Sequence, residues 1–186
     1  MYPTDVATSR EERFTALYDA AYADLLRFAR RRVHAARAED VVSDVMLVAW
    51  RRLDDVPASL SAARAWLFGV AYKTLQNTRR REDKQAAIAV RLAEVAQVTA
   101  GSDHSSDALT DRFEVASAWP LLSAVHQEAI ALAVFDGLTA PEAARVLGIT
   151  PVAFRLRLSR ARKALRHHIT FTNAENDDLT THRSPR

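Results

Sequence analysis

Residues that commonly carry catalysis or bind metals are scattered along this 186-residue chain. There is no cysteine, so disulfides, thiolate nucleophiles and cysteine metal sites are excluded. No H-E-x-x-H spacing, glycine-rich phosphate loop or G-x-S-x-G motif is present. The histidines are His34, His104, His126, His167, His168 and His182. We therefore predict that the protein is not an enzyme and needs no metal or other cofactor.

Arginine and lysine are instead concentrated in two zones that could bind a polyanion. Residues 51–91 contain nine Lys/Arg against four acids, and residues 145–168 contain seven Lys/Arg and no acid. The intervening residues 92–144 contain one arginine and eight acids. Two basic zones separated by an acidic stretch indicate two surfaces that approach nucleic acid. The alternative is that these zones are solvated helix faces.

The elements that position these cations are predicted to be helices, because glycine and proline are few and apolar residues recur at three- and four-residue steps. A first helix is expected to begin at Ser9, which forms an S-x-x-E capping box with Glu12. Its outer face is expected to end in Arg30–Arg32. Further helices are expected over about 38–53 and 62–81. The apolar face of the third helix is predicted to consist of Ala62, Trp66, Leu67, Val70, Ala71 and Leu75.

These elements predict an all-α protein with two small helical domains joined by a flexible linker. The first domain is expected over 10–84 and the second over 111–169. The linker is expected over 85–110, because TAGSDHSSDALT is small, polar and rich in turn formers. The polar residues 170–186 are expected to form a disordered tail.

The ends of the chain and its hydropathy bear on location. The N-terminus MYPTDVATSREER has no apolar signal region, and there is no apolar run of the roughly 18 residues that a membrane span needs. A cytoplasmic protein without membrane insertion is therefore expected.

A short helix, a glycine-containing turn and a longer basic helix are predicted in the C-terminal third. Thr139 and Glu142 form a second capping box that opens the short helix, and Gly148 ends it. Thr150 then caps the next helix, with Pro151 at its favoured first position. This order is typical of a helix-turn-helix, whose second helix enters the DNA major groove. The alternative is a basic amphipathic helix that packs or binds RNA.

The basic helix separates its residues onto different faces. The inward stripe is predicted to be Phe154, Leu158, Ala161 and Leu165. The residues predicted to lie near base edges are Val152, Arg155, Leu156 and Ser159. The residues predicted to contact phosphates are Arg157, Arg160, Arg162 and Lys163.

Two blocks of sequence carry a recognisable series of motifs. The C-terminal block contains FDGLT (135–139), LGI (147–149) and RLSRARKAL (157–165). The N-terminal block contains LYDAAYADLLRFARRRV, AEDVVSDVMLVAWRRL and ARAWLFGVAYKTLQNTRRR. In this order they resemble regions 4 and 2 of the σ70 family, and most closely its small extracytoplasmic-function (ECF) σ factors. The resemblance covers about residues 12–169, and it departs from the family pattern at Leu156, where a small polar residue is usual.

The resemblance implies an RNA polymerase σ factor that binds core polymerase, directs promoter-specific initiation at −35 and −10 elements, and helps open the DNA. Region 4 would read the −35 element with the basic helix and rest on the β flap tip. A base extruded from the −10 element would enter a pocket of loop 54–61. The residues matching the −10 surface are Arg64, Lys73, Gln76, Asn77, Arg79 and Arg80. Those matching the surface for the β′ clamp helices are Asp40, Asp44, Trp50 and Arg51.

Several of these assignments have an alternative. Trp50 is equally expected in the core, and Asp40 and Asp44 can serve as partners of a helix dipole. The cations that end the third helix also suit its dipole. At the level of the whole protein, the alternatives are a stand-alone helix-turn-helix regulator and an all-α interaction protein. An anti-σ factor is a further expected partner.

Overall fold

The computed structural model describes residues 9–81 and 113–181, and over these ranges the regular structure is helical, with no strand. The chain forms two compact units, one containing residues 9–81 and the other containing most of residues 113–181. The all-α prediction is therefore confirmed. The predicted linker over 85–110 lies outside the described residues.

Three helices form the part of the first unit that the structure describes. Helix α1 spans Arg10–Arg30, α2 spans Ala35–Arg51 and α3 spans Leu60–Arg81. A 3-10 turn, Leu53–Asp55, connects α2 to α3, and each helix packs against the other two.

The second unit contains four helices among the described residues. Helix α4 is described over 113–118, followed by a 3-10 turn, Trp119–Leu121. Helix α5 spans Ala124–Ile130 and continues as a π turn, Ala131–Phe135. Helix α6 spans Ala140–Leu147 and α7 spans Pro151–Thr181.

The start of α1 follows from the local sequence. The backbone N–H of Ser9 donates to Glu12 Oε2 at 2.8 Å, and the backbone N–H of Glu12 donates to Ser9 Oγ at 3.1 Å. This reciprocal pair satisfies two N–H groups that a helix start leaves without intrahelical partners. The predicted capping box is confirmed.

Aromatic stacking forms the centre of the first unit. Phe28 of α1 and Phe68 of α3 are fully buried, with ring centroids 4.6 Å apart and planes 11° from parallel. Such a pair adds about 0.5–1.5 kcal/mol to the effect of burial alone. The predicted core residue Trp66 is only half-buried, with the Arg52 guanidinium 5.9 Å from its ring centroid. The apolar run Trp66-Leu67-Phe68 allows two registers of the stripe, and packing against Phe28 selects the one that buries Phe68.

Two arginines at the end of α1 are buried, which corrects the prediction that Arg30–Arg32 end its outer face. Arg32 is 1% exposed, and its Nη1 donates to the Phe28 carbonyl at 2.9 Å. Its guanidinium carbon lies 3.5 Å from the centroid of the Phe28 ring. Arg31 is also buried. The Arg31 backbone stays helical, with its N–H bonded to the Arg27 carbonyl at 3.2 Å, so Arg31 and Arg32 continue the turn of α1. The hydrogen bond to the Phe28 carbonyl and the face of the Phe28 ring offset the cost of burying the Arg32 charge.

The second unit is organised around Trp119 and Gln127. The Gln127 side-chain amide donates to the carbonyls of Trp119 and Leu122 at 3.1 and 3.2 Å. These bonds satisfy backbone groups of the 3-10 turn inside the unit. Trp119 is buried, and its ring centroid lies 5.7 Å from that of Phe135.

The backbone of α7 is helical to Thr181, whereas the sequence predicts a disordered tail from residue 170. The chain has no glycine and no second proline between Pro151 and Pro185. Since those two residues are the strongest helix breakers, nothing in the local sequence ends the helix near residue 169. Residues 182–186 lie outside the described part of the chain.

Candidate nucleic-acid interface

A tight turn between α6 and α7 positions the basic helix. The backbone N–H and the hydroxyl of Thr139 both donate to Glu142 Oε2, at 2.8 and 2.6 Å, at the start of α6. Gly148 follows α6 with φ 66°, a left-handed conformation that glycine adopts without the strain of a side chain. Thr150 Oγ1 then accepts from the Ala153 N–H at 3.2 Å at the start of α7. The predicted order of short helix, glycine turn and long helix is confirmed.

The inner face of α7 packs against α5. Phe154 and Ala161 are fully buried, and Leu158 and Leu165 are half-buried. These four residues are the predicted inward stripe, at steps of four, three and four. The stripe fixes which way the remaining residues of α7 point.

The opposite face of α7 is exposed and largely cationic. Val152, Leu156, Ser159 and Lys163 follow one another at steps of four, three and four along its centre. Arg155, Arg160 and Arg162 flank this row and are also exposed, whereas Arg157 is half-buried on one side. The structure therefore brings seven of the eight residues predicted for the −35 element onto one surface, which we call the α7 outer face. Whether they contact DNA stays a prediction.

A groove beside the α7 outer face includes an arginine that is missing from the predicted site. The groove is lined by Arg155, Leu158, Ser159, Arg162 and Arg166. Arg166 lies four residues after Arg162 and seven after Ser159, so helical spacing alone could have identified it.

The described cations of α3 fall on different sides of the helix. Lys73 and Asn77 are exposed and Gln76 is half-buried, and their spacing places them on one face. Arg64 lies toward α1, with its Nε 3.3 Å from Asp24 Oδ2 and its guanidinium carbon 5.3 Å from the Phe68 ring centroid. The structure does not bring Arg64 together with the other three. The side chains of Arg79 and Arg80 lie outside the described part of the structure.

The loop before α3 forms one wall of a cavity. Its volume is about 380 Å³, within the range of roughly 300–1,000 Å³ that is usual for ligand pockets. The lining is mainly apolar and comes from this loop and its flanks together with α1. The residues are Arg13, Ala16, Leu17, Leu53, Val56, Pro57, Ala58, Leu60 and Ala63.

An outer face of α2 unites three of the four residues predicted to bind polymerase. Asp40, Asp44 and Arg51 are exposed and, with Leu47, follow one another at steps of four, three and four. Leu47 is 47% exposed at the centre of this α2 outer face. Sequence reasoning missed it, although its spacing from Asp40 and Asp44 was visible.

Trp50 lies on another side of α2, against α1. Its ring meets the Phe14 ring edge-on at a centroid distance of 5.2 Å, and the Arg10 guanidinium lies 5.2 Å from its centroid. Trp50 is half-buried, so packing between helices accounts for much of its surface. Its assignment to polymerase binding stays a prediction.

Residues 9–81 and 113–181 contain neither a membrane-spanning helix nor a metal-binding cluster. No helix there is both long enough and apolar enough to cross a membrane. The same residues contain no group of three His, Cys, Asp or Glu side chains that could hold a metal ion.

Family comparison matches both units. The model described as Sigma-70 region 2 matches residues 17–85, and the model described as Sigma-70, region 4 matches residues 113–165. The ECF RNA polymerase sigma factor SigL of Mycobacterium tuberculosis is 34% identical over 162 residues, covering 81% of this chain and 85% of SigL. The RNA polymerase sigma factor CnrH of Cupriavidus metallidurans is 33% identical over 135 residues, covering 68% of this chain and 70% of CnrH.

Solved structures are similar in fold. CnrH in complex with the cytosolic domain of CnrY aligns with a TM-score of 0.54 and 27% identity, over 83% of this chain and 85% of that one. The σ factor RpoE in complex with the anti-σ factor NepR from Bartonella quintana aligns with a TM-score of 0.52 and 23% identity, over 86% of this chain and 96% of that one.

Proposed function

The chain belongs to the σ70 family of RNA polymerase σ factors, in its ECF subfamily, and we propose that its two units read the −10 and −35 elements of one promoter while core polymerase holds both. The observation that carries this proposal is the succession of the region 2 and region 4 matches along one chain. A stand-alone repressor has no need of region 2. The σ factor function therefore accounts for more of the chain than the regulator does.

In this proposal the α7 outer face enters the major groove at the −35 element. The groove admits an α-helix, and a guanidinium can bond both acceptors of a guanine edge. Arg155 and Ser159 lie near the N-terminus of α7, the end that reaches base edges in helix-turn-helix proteins. Arg160, Arg162 and Lys163 would contact phosphates and fix the register of the helix. Arg157, half-buried, would reach a phosphate only from the side of the helix.

The first unit would capture the −10 element as a single strand. Lys73 and Asn77 are exposed on α3 and would contact the sugar-phosphate backbone of that strand, with Gln76 beside them. The cavity beside loop 54–61 would hold the extruded base, because its apolar lining favours contact with an unstacked ring. Extruding a base costs about a few kcal/mol, and these contacts would offset that cost. Arg79 and Arg80 would extend the cationic end of α3.

The α2 outer face would bind the β′ clamp helices. An exposed leucine in one row with Asp40, Asp44 and Arg51 places an apolar side chain between charged ones, and protein interfaces likewise combine an apolar core with a polar rim. In the second unit, Leu121 and Val125 are exposed and would contact the β flap tip.

A protein antagonist is a further partner in the proposal. The solved structure of CnrH contains the cytosolic domain of a second protein, CnrY. The chain described here has the fold of CnrH and is 27% identical to it. On that likeness, we propose that an anti-σ factor can hold this chain away from polymerase.

Run-off transcription with purified core polymerase on a library of randomised promoters tests the function. We expect initiation at defined positions only when the chain is added, and weak binding of the free chain to duplex DNA. Tight binding to a duplex without polymerase, together with no defined start, would favour the stand-alone regulator and overturn the proposal.

Arg155→Ala tests the assignment of the α7 outer face. If Arg155 bonds a base, its loss weakens recognition of the −35 element by roughly 1–3 kcal/mol and relaxes specificity at one position. Arg27→Ala is a matched control, because Arg27 is an exposed arginine of α1 that pairs with Asp24. Unchanged −35 preference in Arg155→Ala holoenzyme would remove this residue from the site.

A further inference from the structure

Two aliphatic side chains stand in the middle of the cationic α7 outer face. Val152 is 66% exposed and Leu156 is 51% exposed, one helical turn apart. Arg155 and Ser159 lie beside them and are also exposed. Covering these two side chains with an apolar group of a partner would be favourable, because it removes apolar surface from water.

The surrounding charge restricts what that partner can be. Residues 145–168 contain seven Lys/Arg and no acid, and this charge favours a polyanion as the partner. In the DNA major groove, the apolar group that base edges present is the 5-methyl group of thymine. Double-stranded RNA presents a major groove too deep and narrow for side chains to read. A DNA duplex with thymines in the groove therefore matches both the charge and the apolar centre of this face.

The spacing of the two side chains also fits. Four residues of an α-helix rise about 6 Å, and successive bases on one strand of B-DNA are about 3.4 Å apart. Two side chains one turn apart on a helix lying in the groove therefore reach bases one or two steps apart.

We propose that Val152 and Leu156 are specificity-determining residues that read the 5-methyl groups of two thymines, one or two base pairs apart, within the −35 element. This deepens the proposed function and rests on it, since it requires α7 to lie in the major groove. Arg155 and Ser159 would read hydrogen-bonding edges next to these thymines. The −35 element selected by this σ factor would then contain two required A·T pairs next to the base pair that Arg155 reads.

Uracil substitution in the selected promoter tests the inference. Uracil differs from thymine only by the missing methyl group, so hydrogen bonding is retained. Holoenzyme containing the full chain is first used to select a −35 element from a random library. Each thymine of that element, on either strand, is then replaced singly by uracil, and holoenzyme affinity is measured by competition. At two positions we expect the holoenzyme affinity to fall about fourfold, because the burial of one methyl group is lost.

A double-mutant cycle assigns each methyl group to its side chain. Leu156→Ala should abolish the uracil effect at one position, and Val152→Ala should abolish it at the other. Leu156→Met keeps an apolar side chain and should retain most of the effect. Phe171→Ala is the matched control, because Phe171 is an exposed apolar residue of α7 beyond the α7 outer face. The full uracil effect should remain at both positions in this variant.

Two results would overturn the inference: no thymine sensitive to uracil, or sensitivity that survives both alanine substitutions. Arg155→Ala separates this failure from failure of the proposed function. If Arg155→Ala relaxes −35 specificity while uracil has no effect, the methyl contact alone is wrong. If neither change alters promoter choice, α7 does not read the groove, and both proposals fail.

Discussion

Arginines of the first unit and arginines of α7 have opposite environments. In the first unit, Arg10 and Arg13 lie 3.4 and 3.9 Å from Asp54 oxygens, and Arg52 lies 2.8 Å from an Asp55 oxygen. On the α7 outer face, no ion pair among the described side chains involves an arginine. Exposed ion pairs contribute only about 0–1 kcal/mol each to stability. The difference therefore matters mainly for which arginines are available to bind a partner. The cations of α7 remain free to meet phosphates, whereas many of those in the first unit already have partners.

The two units also differ in how their interiors are held. The interior of the first contains the stacked rings of Phe28 and Phe68 among buried aliphatic side chains. In the second, the Gln127 amide bonds backbone carbonyls around the buried Trp119. A substitution in one interior should therefore leave the other intact if the units fold independently.

Phe68→Ala should give the largest difference in stability between the two units. Removing a fully buried phenylalanine costs about 3–5 kcal/mol through lost burial and the cavity left behind. Trp50 and Trp66 report on the first unit and Trp119 on the second. We expect urea unfolding followed by fluorescence to show a lower midpoint for the first unit only.

Backgrounds that keep the tryptophans of one unit only separate the two signals. Trp119→Phe leaves the reporters of the first unit, and Trp50→Phe with Trp66→Phe leaves the reporter of the second. A midpoint that falls equally in both backgrounds would mean that the units unfold as one.

Lys73→Ala and Arg64→Ala should separate a free cation of α3 from an engaged one. If Lys73 contacts a phosphate, its loss reduces the salt-dependence slope of holoenzyme binding by about one. Arg64 pairs with Asp24 and stacks on Phe68, so its loss should lower the stability of the first unit and leave that slope unchanged. A reduced slope in Arg64→Ala instead would restore Arg64 to the DNA surface.

Helix caps should give the smallest effects, each confined to one unit. Ser9→Ala removes the acceptor for the Glu12 N–H, and Thr150→Ala removes the acceptor for the Ala153 N–H. Each substitution should lower the free energy of unfolding of its own unit by about 1 kcal/mol. In the same fluorescence measurement, Ser9→Ala should shift only the Trp50 and Trp66 signals, and Thr150→Ala only the Trp119 signal. A shift in the opposite unit would contradict the comparison.

Capped helix starts and the glycine turn were determined by the sequence alone, because they depend on neighbours within a few residues. The capping box at Ser9, the Thr139–Glu142 pair and the left-handed Gly148 all occur where the local pattern predicts them. The same local spacing also identified most of the α7 outer face. The two blocks of motifs were enough to indicate the family.

Only the tertiary structure decided which way several side chains point. Phe68 is buried in place of Trp66, Arg32 lies inside, and Arg64 turns toward Asp24. Leu47 and Arg166 join surfaces where the sequence did not place them. A long side chain, or one of several adjacent apolar residues, has more than one orientation compatible with its helix. The choice among them depends on partners that are distant in sequence, and only the packed fold brings those partners together.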